Sequence, residues 1–132
     1  MHKLYESILG RSADFRVKYQ FYSEDQGGRK ILPNQGTRFN FWYENHNHTM
    51  KGIFMIWPEF ENEEGEIILD SHVLVSASGT AKMWIINSEL IPYHADKIKI
   101  GTKGYFYEGK RIAECEVIEI IGLTSNPTKT LS

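Results

Sequence analysis

Alternating apolar and polar positions predict the first strands of this chain. Every second residue from Phe15 to Phe21 is apolar or aromatic, which is the period of a strand with one buried and one exposed face. The same period returns in an aromatic stretch that begins near Arg38 and continues to Tyr43. A third alternation begins at Ala81 and stops near Asn87. The pattern therefore predicts three half-buried strands.

The remaining apolar segments are less regular. Gly52 to Trp57 is almost wholly apolar, which favours a strand covered on both faces and ended by Pro58. Ile67 to Val75 is predicted as the next strand, and Ser76 to Gly79 as the next turn. Three further segments are polar or aperiodic. We predict a turn at Glu44 to Thr49, a solvated acidic loop at Glu59 to Glu66 and a long connection at Ser88 to Lys97.

The C-terminal part predicts a hairpin. Tyr105 to Tyr107 and Arg111 to Ile121 flank the turn signal Glu108-Gly109-Lys110. Glu119 breaks the alternation of the last strand, so we expect a bulge near Val117 or Ile118.

The N-terminal part predicts a short helix. Between residues 2 and 9, Leu4, Ile8 and Leu9 share one helical face, and Gly10 is a suitable stop. We expect residues 1–14 to be an extension, 15–122 one β domain and 123–132 a tail. Six or seven short strands without crossover helices predict an antiparallel barrel or a sandwich, and periodicity does not choose between them.

Composition narrows the class of protein. The chain has 132 residues, 41% of them hydrophobic, and a net charge of −2, which is typical of one globular domain. No apolar run approaches the ~20 residues of a bilayer-spanning helix, and Glu6 interrupts the N-terminus where a secretory signal would be apolar. The single cysteine fits a reducing compartment. We expect a cytoplasmic protein without a membrane partner.

The segment from Asp25 to Asn40 has the residues of a shaped loop. Gly27 and Gly28 allow backbone angles closed to other residues, and Pro33 fixes one more. Arg29 and Arg38 place charge where the chain turns. Because aromatic strands lie on both sides, we expect a sheet to carry this loop.

Two motifs in this chain resemble a known family. Gly27-Gly28-Arg29 and the later Gly36, Arg38 and Phe41 stand where the C-terminal β-barrel domain of elongation factor Tu has a Gly-Gly-Arg loop and a Gly-x-Arg-x-x-Phe strand. Glu108, Gly109 and Arg111 match that domain's final turn. The resemblance spans Phe15 to Ile121 and implies an all-β fold, a six- to seven-stranded antiparallel β-barrel of that type.

The resemblance also implies a binding role without catalytic residues. In that family the domain helps hold the T stem of aminoacyl-tRNA, so the chain is expected to bind tRNA-like RNA or a protein of the translation apparatus. The binding residues it implies are Gly27, Gly28, Arg29, Lys30, Arg38, Asn40, Glu108, Gly109 and Arg111. For Arg29 and Arg38 we favour a structural interpretation, in which they hydrogen-bond loop carbonyls and carboxylates. Glu114 and Glu116 disfavour a phosphate backbone on the last strand.

Enzymatic signals are weak. Gly101-Thr102-Lys103-Gly104 lacks the order and spacing of a phosphate-binding loop, so no nucleotide and no cofactor are expected. Cys115 could be a nucleophile served by His72 or His94, but its place in an alternating strand favours an inert core thiol.

Other candidate ligands are equally open to a structural interpretation. His46 and His48 could form half of a metal site, but no partnered cysteine or carboxylate is nearby, and no metal is expected. Trp42, Tyr22 and Trp84 could stack on bases or pack across strands.

Three hypotheses for function follow. The first is a binding module that uses the Gly27 to Arg38 loop and the Glu108 to Arg111 hairpin. The second is an immunity or inhibitor protein that captures a basic partner through an acidic edge of Glu59 to Glu66, Glu114 and Glu116. An enzyme is the third and has the least support.

Overall fold

Six antiparallel strands form one sheet in the computed structural model, which describes residues 1–44 and 53–125. The strands are β1 (Phe15–Phe21), β2 (Asn40–Tyr43), β3 (Ile56–Phe60), β4 (Ser78–Ile85), β5 (Lys103–Tyr107) and β6 (Arg111–Ile120). Their order across the sheet is β2-β5-β6-β1-β4-β3. The helices are α1 (Tyr5–Leu9) and α2 (Ile91–Ala95), with single 3-10 turns at Glu24–Gln26 and Ser88–Leu90.

The sheet curls until its two edges approach each other. β2 lies at one edge and β3 at the other, yet Phe41 of β2 exchanges two backbone hydrogen bonds with Phe54, just before β3. Both N···O distances are 2.9 Å. The predicted antiparallel β architecture is confirmed as a curled half-barrel, and among the described residues the Phe41–Phe54 pair joins its edges.

Aromatic rings fill the interior of the curl. Phe106 is fully buried on β5, and its ring lies 5.7 to 6.3 Å from four phenylalanine rings contributed by β1, β2, β3 and the loop before β2. Those rings belong to Phe21, Phe39, Phe41 and Phe60. Burial of such large apolar side chains is the main favourable term in folding. The sheet therefore curls around aromatic side chains.

Strict alternation predicted the right elements. β1 covers the predicted residues Phe15–Phe21 and buries every second one. The β5–β6 hairpin and the short helix α1 are also confirmed, and Gly10 ends α1 with a left-handed φ of 68°. Because L side chains disfavour that backbone conformation, glycine suits the position.

The predicted bulge in β6 is confirmed. Arg16 pairs with Glu119, whereas the next residue, Val17, pairs with Val117. Ile118 is therefore the extra residue. The insertion restores the buried face after Glu119 has broken the alternation.

The prediction that Pro58 ends a strand is wrong. Pro58 lies inside β3, the edge strand Ile56–Phe60. Glu61 N donates to Thr80 O on β4, so even-numbered residues of β3 direct their N–H groups away from β4. Position 58 thus needs no donor, and proline is tolerated at this edge.

The predicted strand from Ile67 to Val75 is also wrong. Only isolated pairs occur there, Glu61 with Ile67 and Asn34 with Leu74. Leu69, Val73 and Leu74 are exposed, so their apolar character does not mark a buried face.

Two connections differ from prediction. β4 begins at Ser78, inside the segment expected to turn at Ser76 to Gly79. The connection from Ser88 to Lys97 contains α2, with Pro92 in its first turn, where proline's missing N–H costs nothing. The predicted turn from Glu44 to Thr49 lies outside the described residues beyond position 44.

The N-terminal segment packs on the outer face of the sheet. Tyr5, Ala13 and Trp84 form a second buried cluster, separate from the interior core. The Tyr5 and Trp84 rings meet edge to face, with their centroids 6.0 Å apart. Both described α-helices have five residues, far fewer than a helix needs to cross a membrane.

Tyr19 supplies a test of this core. Burial raises the pKa of Tyr19 from 10.0 to about 12, and its hydroxyl donates to Ser76 O at 3.2 Å. The unfolded chain ionises first, so stability present below pH 10 is lost as pH rises towards 12. Above pH 10, the free energy of unfolding measured in urea should fall less steeply with pH for Tyr19→Phe than for the wild type, by about 1 kcal/mol per pH unit. An unchanged slope would contradict the assignment.

Candidate functional site

The glycine loop has its shape for structural reasons. Gly27 ends the 3-10 turn with a φ of 90°. A Cβ on Gly28 would lie 2.0 Å from the carbonyl oxygen of Tyr22, so only glycine fits there. The backbone of Ser23 also accepts the N–H of Gly28 at 2.8 Å. Both glycines are required by the backbone path, whatever the loop binds.

Arg29 joins the glycine loop to the C-terminal hairpin. Its Nη1 donates to Glu108 Oε2 at 2.9 Å, and its Nε donates to Ile31 O at 3.0 Å. The guanidinium also lies 5.5 Å from the ring centroid of Phe39. The glycine loop and the C-terminal hairpin are thus in contact, and Arg29 makes the carbonyl and carboxylate bonds of its structural interpretation.

The other predicted binding residues are spread over different surroundings. Arg38 stacks over Trp57 at 4.5 Å, and Lys30 is exposed. Asn40 pairs with Tyr107 across β2 and β5. Gly109 occupies the hairpin turn with a φ of 73°. Asn40 and Arg111 therefore lie in one cross-strand row through Tyr107, beside Glu108, whereas Arg38 contacts Trp57 on β3.

Arg111 belongs to a stack of aromatic side chains on the outer face of the sheet. Trp42 and Tyr105 are opposite each other on β2 and β5, with ring centroids 5.9 Å apart and planes at 29°. The guanidinium of Arg111 lies 3.9 Å from the Tyr105 ring centroid and 5.2 Å from that of Trp42. With Tyr107, these residues form what we call the aromatic–arginine surface.

A shallow cavity opens at one side of the aromatic–arginine surface. It has a volume of about 370 Å³ and is lined by Trp42, Tyr107, Arg111 and the exposed Ile53. Half-exposed aromatic rings, an arginine and an apolar side chain around a depression are typical of protein interfaces.

A larger cavity lies beside this surface, across β5, β6, β1 and β4. Its volume is about 700 Å³, and Tyr105 is in its wall as well as in the aromatic–arginine surface. Strand register places Gln20 opposite both Ser78 and Glu114, and Glu114 opposite Tyr105. One cross-strand row therefore leads from the aromatic rings into this space, which we call the polar cavity.

Most charges of the polar cavity neutralise one another. Glu116 accepts from Lys103 at 2.6 Å and lies 3.7 Å from Lys18 Nζ. The hydrogen bond between Lys103 and Glu116 raises the pKa of Lys103 and lowers that of Glu116, so both stay charged near neutral pH. At the cavity's edge, the hydroxyl of Tyr105 donates to Glu44 at 3.1 Å.

The predicted acidic loop is partly wrong. Glu59 and Glu61, expected to be solvated, are buried. Glu59 accepts from Tyr5 N at 2.9 Å and Trp84 Nε1 at 3.2 Å, and it contacts His2 Nε2 at 2.6 Å. Arg16 pairs with Glu61 at 2.7 Å. A continuous acidic edge from Glu59 to Glu66 is therefore absent.

The structure gives little support to the remaining candidate catalytic, metal-binding and base-stacking residues. Burial raises the pKa of the Cys115 thiol, which is the opposite of nucleophile activation. His94 is buried, with Nδ1 2.7 Å from the Tyr43 hydroxyl. Trp84 is buried and cannot stack on a base. His46 and His48 lie outside the described residues, and within the described ranges no group of three or more His, Cys, Asp or Glu residues is placed to hold a metal ion.

Sequence reasoning missed the central residue of the outer face. The sequence pattern assigns Tyr105 only to a hairpin, although its ring stacks with Trp42 and Arg111 and lies in the wall of the polar cavity. The sequence does contain a signal for this position. A hairpin that turns at Glu108–Lys110 places Tyr105 nearly opposite Glu114 on the next strand. The β2–β5 pairing that adds Trp42 joins residues about 60 positions apart and had no local signal.

The fold and this surface define a class: a curled antiparallel β protein with an aromatic outer face. No protein-family model matches the chain, and no curated protein matches it significantly.

The burial of Glu59 leads to a stability prediction. Glu59→Gln replaces one carboxylate oxygen, a hydrogen-bond acceptor, with an NH2 group, which is a donor. One of the groups that contact the Glu59 carboxylate therefore loses its hydrogen bond. We expect a loss of about 2 kcal/mol in urea unfolding. Glu63→Gln, an exposed carboxylate of the same loop, is the matched control and should change stability by less than about 0.5 kcal/mol. Equal effects for the two variants would contradict the burial of Glu59.

Proposed function

We propose that the chain is a non-enzymatic binding module that captures a protein partner through the aromatic–arginine surface. The observation that carries this proposal is the stack of Trp42, Tyr105 and Arg111 on the outer face of the sheet. Tryptophan, tyrosine and arginine are the residues most enriched at binding hot spots. Because the strands hold these side chains, little conformational freedom is lost when a partner binds.

The apolar neighbours of this surface also favour a protein partner. Ile53, in the short segment that follows the undescribed residues, is 40% exposed and lines the shallow cavity beside Trp42. An exposed aliphatic side chain next to aromatic rings is suited to apolar contacts with a partner.

The charges of the outer face favour protein over RNA. Phosphate binding requires cations that are available to neutralise it. Here Arg29 is paired with Glu108, and Lys103 is paired with Glu116. An RNA backbone would have to displace these carboxylates.

We extend the proposal to the elongation factor Tu resemblance. A small antiparallel barrel of that domain type, acting in the cytoplasm on a protein of the translation apparatus, is compatible with the six-stranded curled sheet. The contact between Arg29 and Glu108 supports the comparison because it joins the two motifs that carry the resemblance.

Two arginine variants test the proposal. The partner is first recovered by affinity purification from the source cells after nuclease treatment, and its Kd is then measured by calorimetry. Arg111→Ala should weaken binding about 30-fold, since a hot-spot residue contributes about 2 kcal/mol. Arg29→Ala is the matched control, an arginine near the same hairpin but outside the aromatic stack, and should change Kd by less than about threefold.

Two results would contradict the proposal. One is an unchanged Kd for Arg111→Ala. The other is recovery of RNA in place of protein when nuclease is omitted, with salt-sensitive binding that Arg29→Ala weakens.

A further inference from the structure

Arg111 differs from the arginines that are paired with carboxylates. Arg16 donates to Glu61 at 2.7 Å, and Arg29 donates to Glu108 at 2.9 Å. Arg111 is exposed, and in the described part of the chain its guanidinium contacts aromatic rings but makes no hydrogen bond or ion pair. Its N–H groups are therefore available to another molecule.

The stacking of Arg111 suits it to bind a carboxylate. Its guanidinium carbon lies 3.9 Å from the Tyr105 ring centroid. Stacking on a ring occupies the face of a guanidinium and leaves the N–H groups at its edge accessible. Such an edge binds a carboxylate through two parallel N–H···O hydrogen bonds, which are among the strong hydrogen bonds of proteins.

The shallow cavity beside this guanidinium is positively charged. Trp42, Ile53 and Tyr107 line it and are neutral, so Arg111 supplies the charge of the described part of the lining. An anionic group that enters the cavity is attracted, whereas a basic side chain would place two cations together. The volume of about 370 Å³ is near the lower end of the range for ligand pockets, which suits a side chain.

The carboxylates around the cavity do not neutralise Arg111. Three of them lie nearby, and none forms an ion pair with it: Glu44, Glu108 and Glu114. The first accepts the hydroxyl of Tyr105 at 3.1 Å, and the second is bound to Arg29 at 2.9 Å. The third interacts electrostatically with Lys103 in the polar cavity.

We propose that the shallow cavity receives a carboxylate side chain of the protein partner, bound by Arg111. This inference rests on the proposed function and specifies the chemistry of the partner. The single charge of a carboxylate matches that of the arginine, whereas a phosphoryl group carries about −1.5 to −2 at neutral pH. Trp42 and Ile53 offer apolar contacts beside it. The partner segment therefore contains a glutamate or an aspartate next to an apolar residue.

Two capped dipeptides test the site without the partner. The ¹⁵N-labelled full chain is titrated by NMR with N-acetyl-leucyl-glutamyl-amide and with its glutaminyl analogue, which has nearly the same shape but no charge. We expect saturable shift changes at the Trp42 indole N–H and the Arg111 Nε–H with the glutamyl peptide. The glutaminyl peptide should bind about tenfold more weakly, because it lacks the charge-assisted hydrogen bonds. Equal affinities, or no saturable response to the glutamyl peptide, would overturn the inference.

Two variants that each remove one positive charge identify the binding group. Arg111→Met keeps an unbranched side chain that packs on the rings but loses the guanidinium, so it should weaken binding of the glutamyl peptide about tenfold. Lys110→Met removes the neighbouring exposed cation, which does not line the cavity, and should change Kd by less than about threefold. Equal losses would indicate a general effect of net charge and would reject Arg111 as the carboxylate-binding residue.

The same variants separate this inference from the proposed function. If Arg111→Ala weakens partner binding and Arg111→Met does not, the protein-binding surface stands and the carboxylate site is rejected. If both variants weaken partner binding, and added salt weakens wild-type binding more than that of Arg111→Met, both are supported. If Arg111→Ala leaves partner binding unchanged, the proposed function fails, and the two dipeptides decide the carboxylate site alone.

Discussion

The packing of aromatic rings inside a curled sheet is the constraint on which the rest of this structure depends. Phe106 lies among phenylalanine rings from β1, β2, β3 and the loop before β2, so strands far apart in the chain must converge on it. Because side chains alternate along a strand, committing the inner positions to this core leaves the outer positions free for other roles. The row that contains Trp42, Tyr105 and Glu114 consists of such outer positions.

Two arginines near the same hairpin differ in how their hydrogen-bonding groups are used. Arg29 is held by a carboxylate and a backbone carbonyl, so its hydrogen-bonding capacity is used to join a loop to a turn. Arg111 is exposed and contacts aromatic faces, which leave much of its hydrogen-bonding capacity for another molecule. The glycine-loop motif therefore fixes the shape of a loop, whereas residues of β2 and β5 form the aromatic–arginine surface that we propose for partner binding.

The sequence predicted the elements whose signals are local. The alternation of Phe15–Phe21, the turn at Glu108–Lys110 and the broken parity at Glu119 each depend on neighbouring residues, and each was interpreted correctly. The prediction at Pro58 was wrong because an edge strand tolerates proline in its interior. Only the strand order shows that β3 is an edge strand. Leu69 and Leu74 misled because apolar residues also occur at the surface.

The site was harder to predict for the same reason. The sequence predicted both the glycine loop and the hairpin but no contact between them; Arg29 and Glu108 make that contact in the structure. The burial of Glu59 depends on His2, and the stacking of Trp42 depends on strand pairing with β5. These are long-range contacts that no local pattern encodes.

Hydrogen–deuterium exchange of the full chain, alone and with its purified partner, tests the central claim most directly. The account predicts that partner binding slows exchange in β2, β5 and the first half of β6, around Trp42, Tyr105 and Arg111, and leaves the loop from Asn62 to Glu66 unchanged. Protection confined to that acidic loop, or to the glycine loop from Gly27 to Lys30, would contradict it.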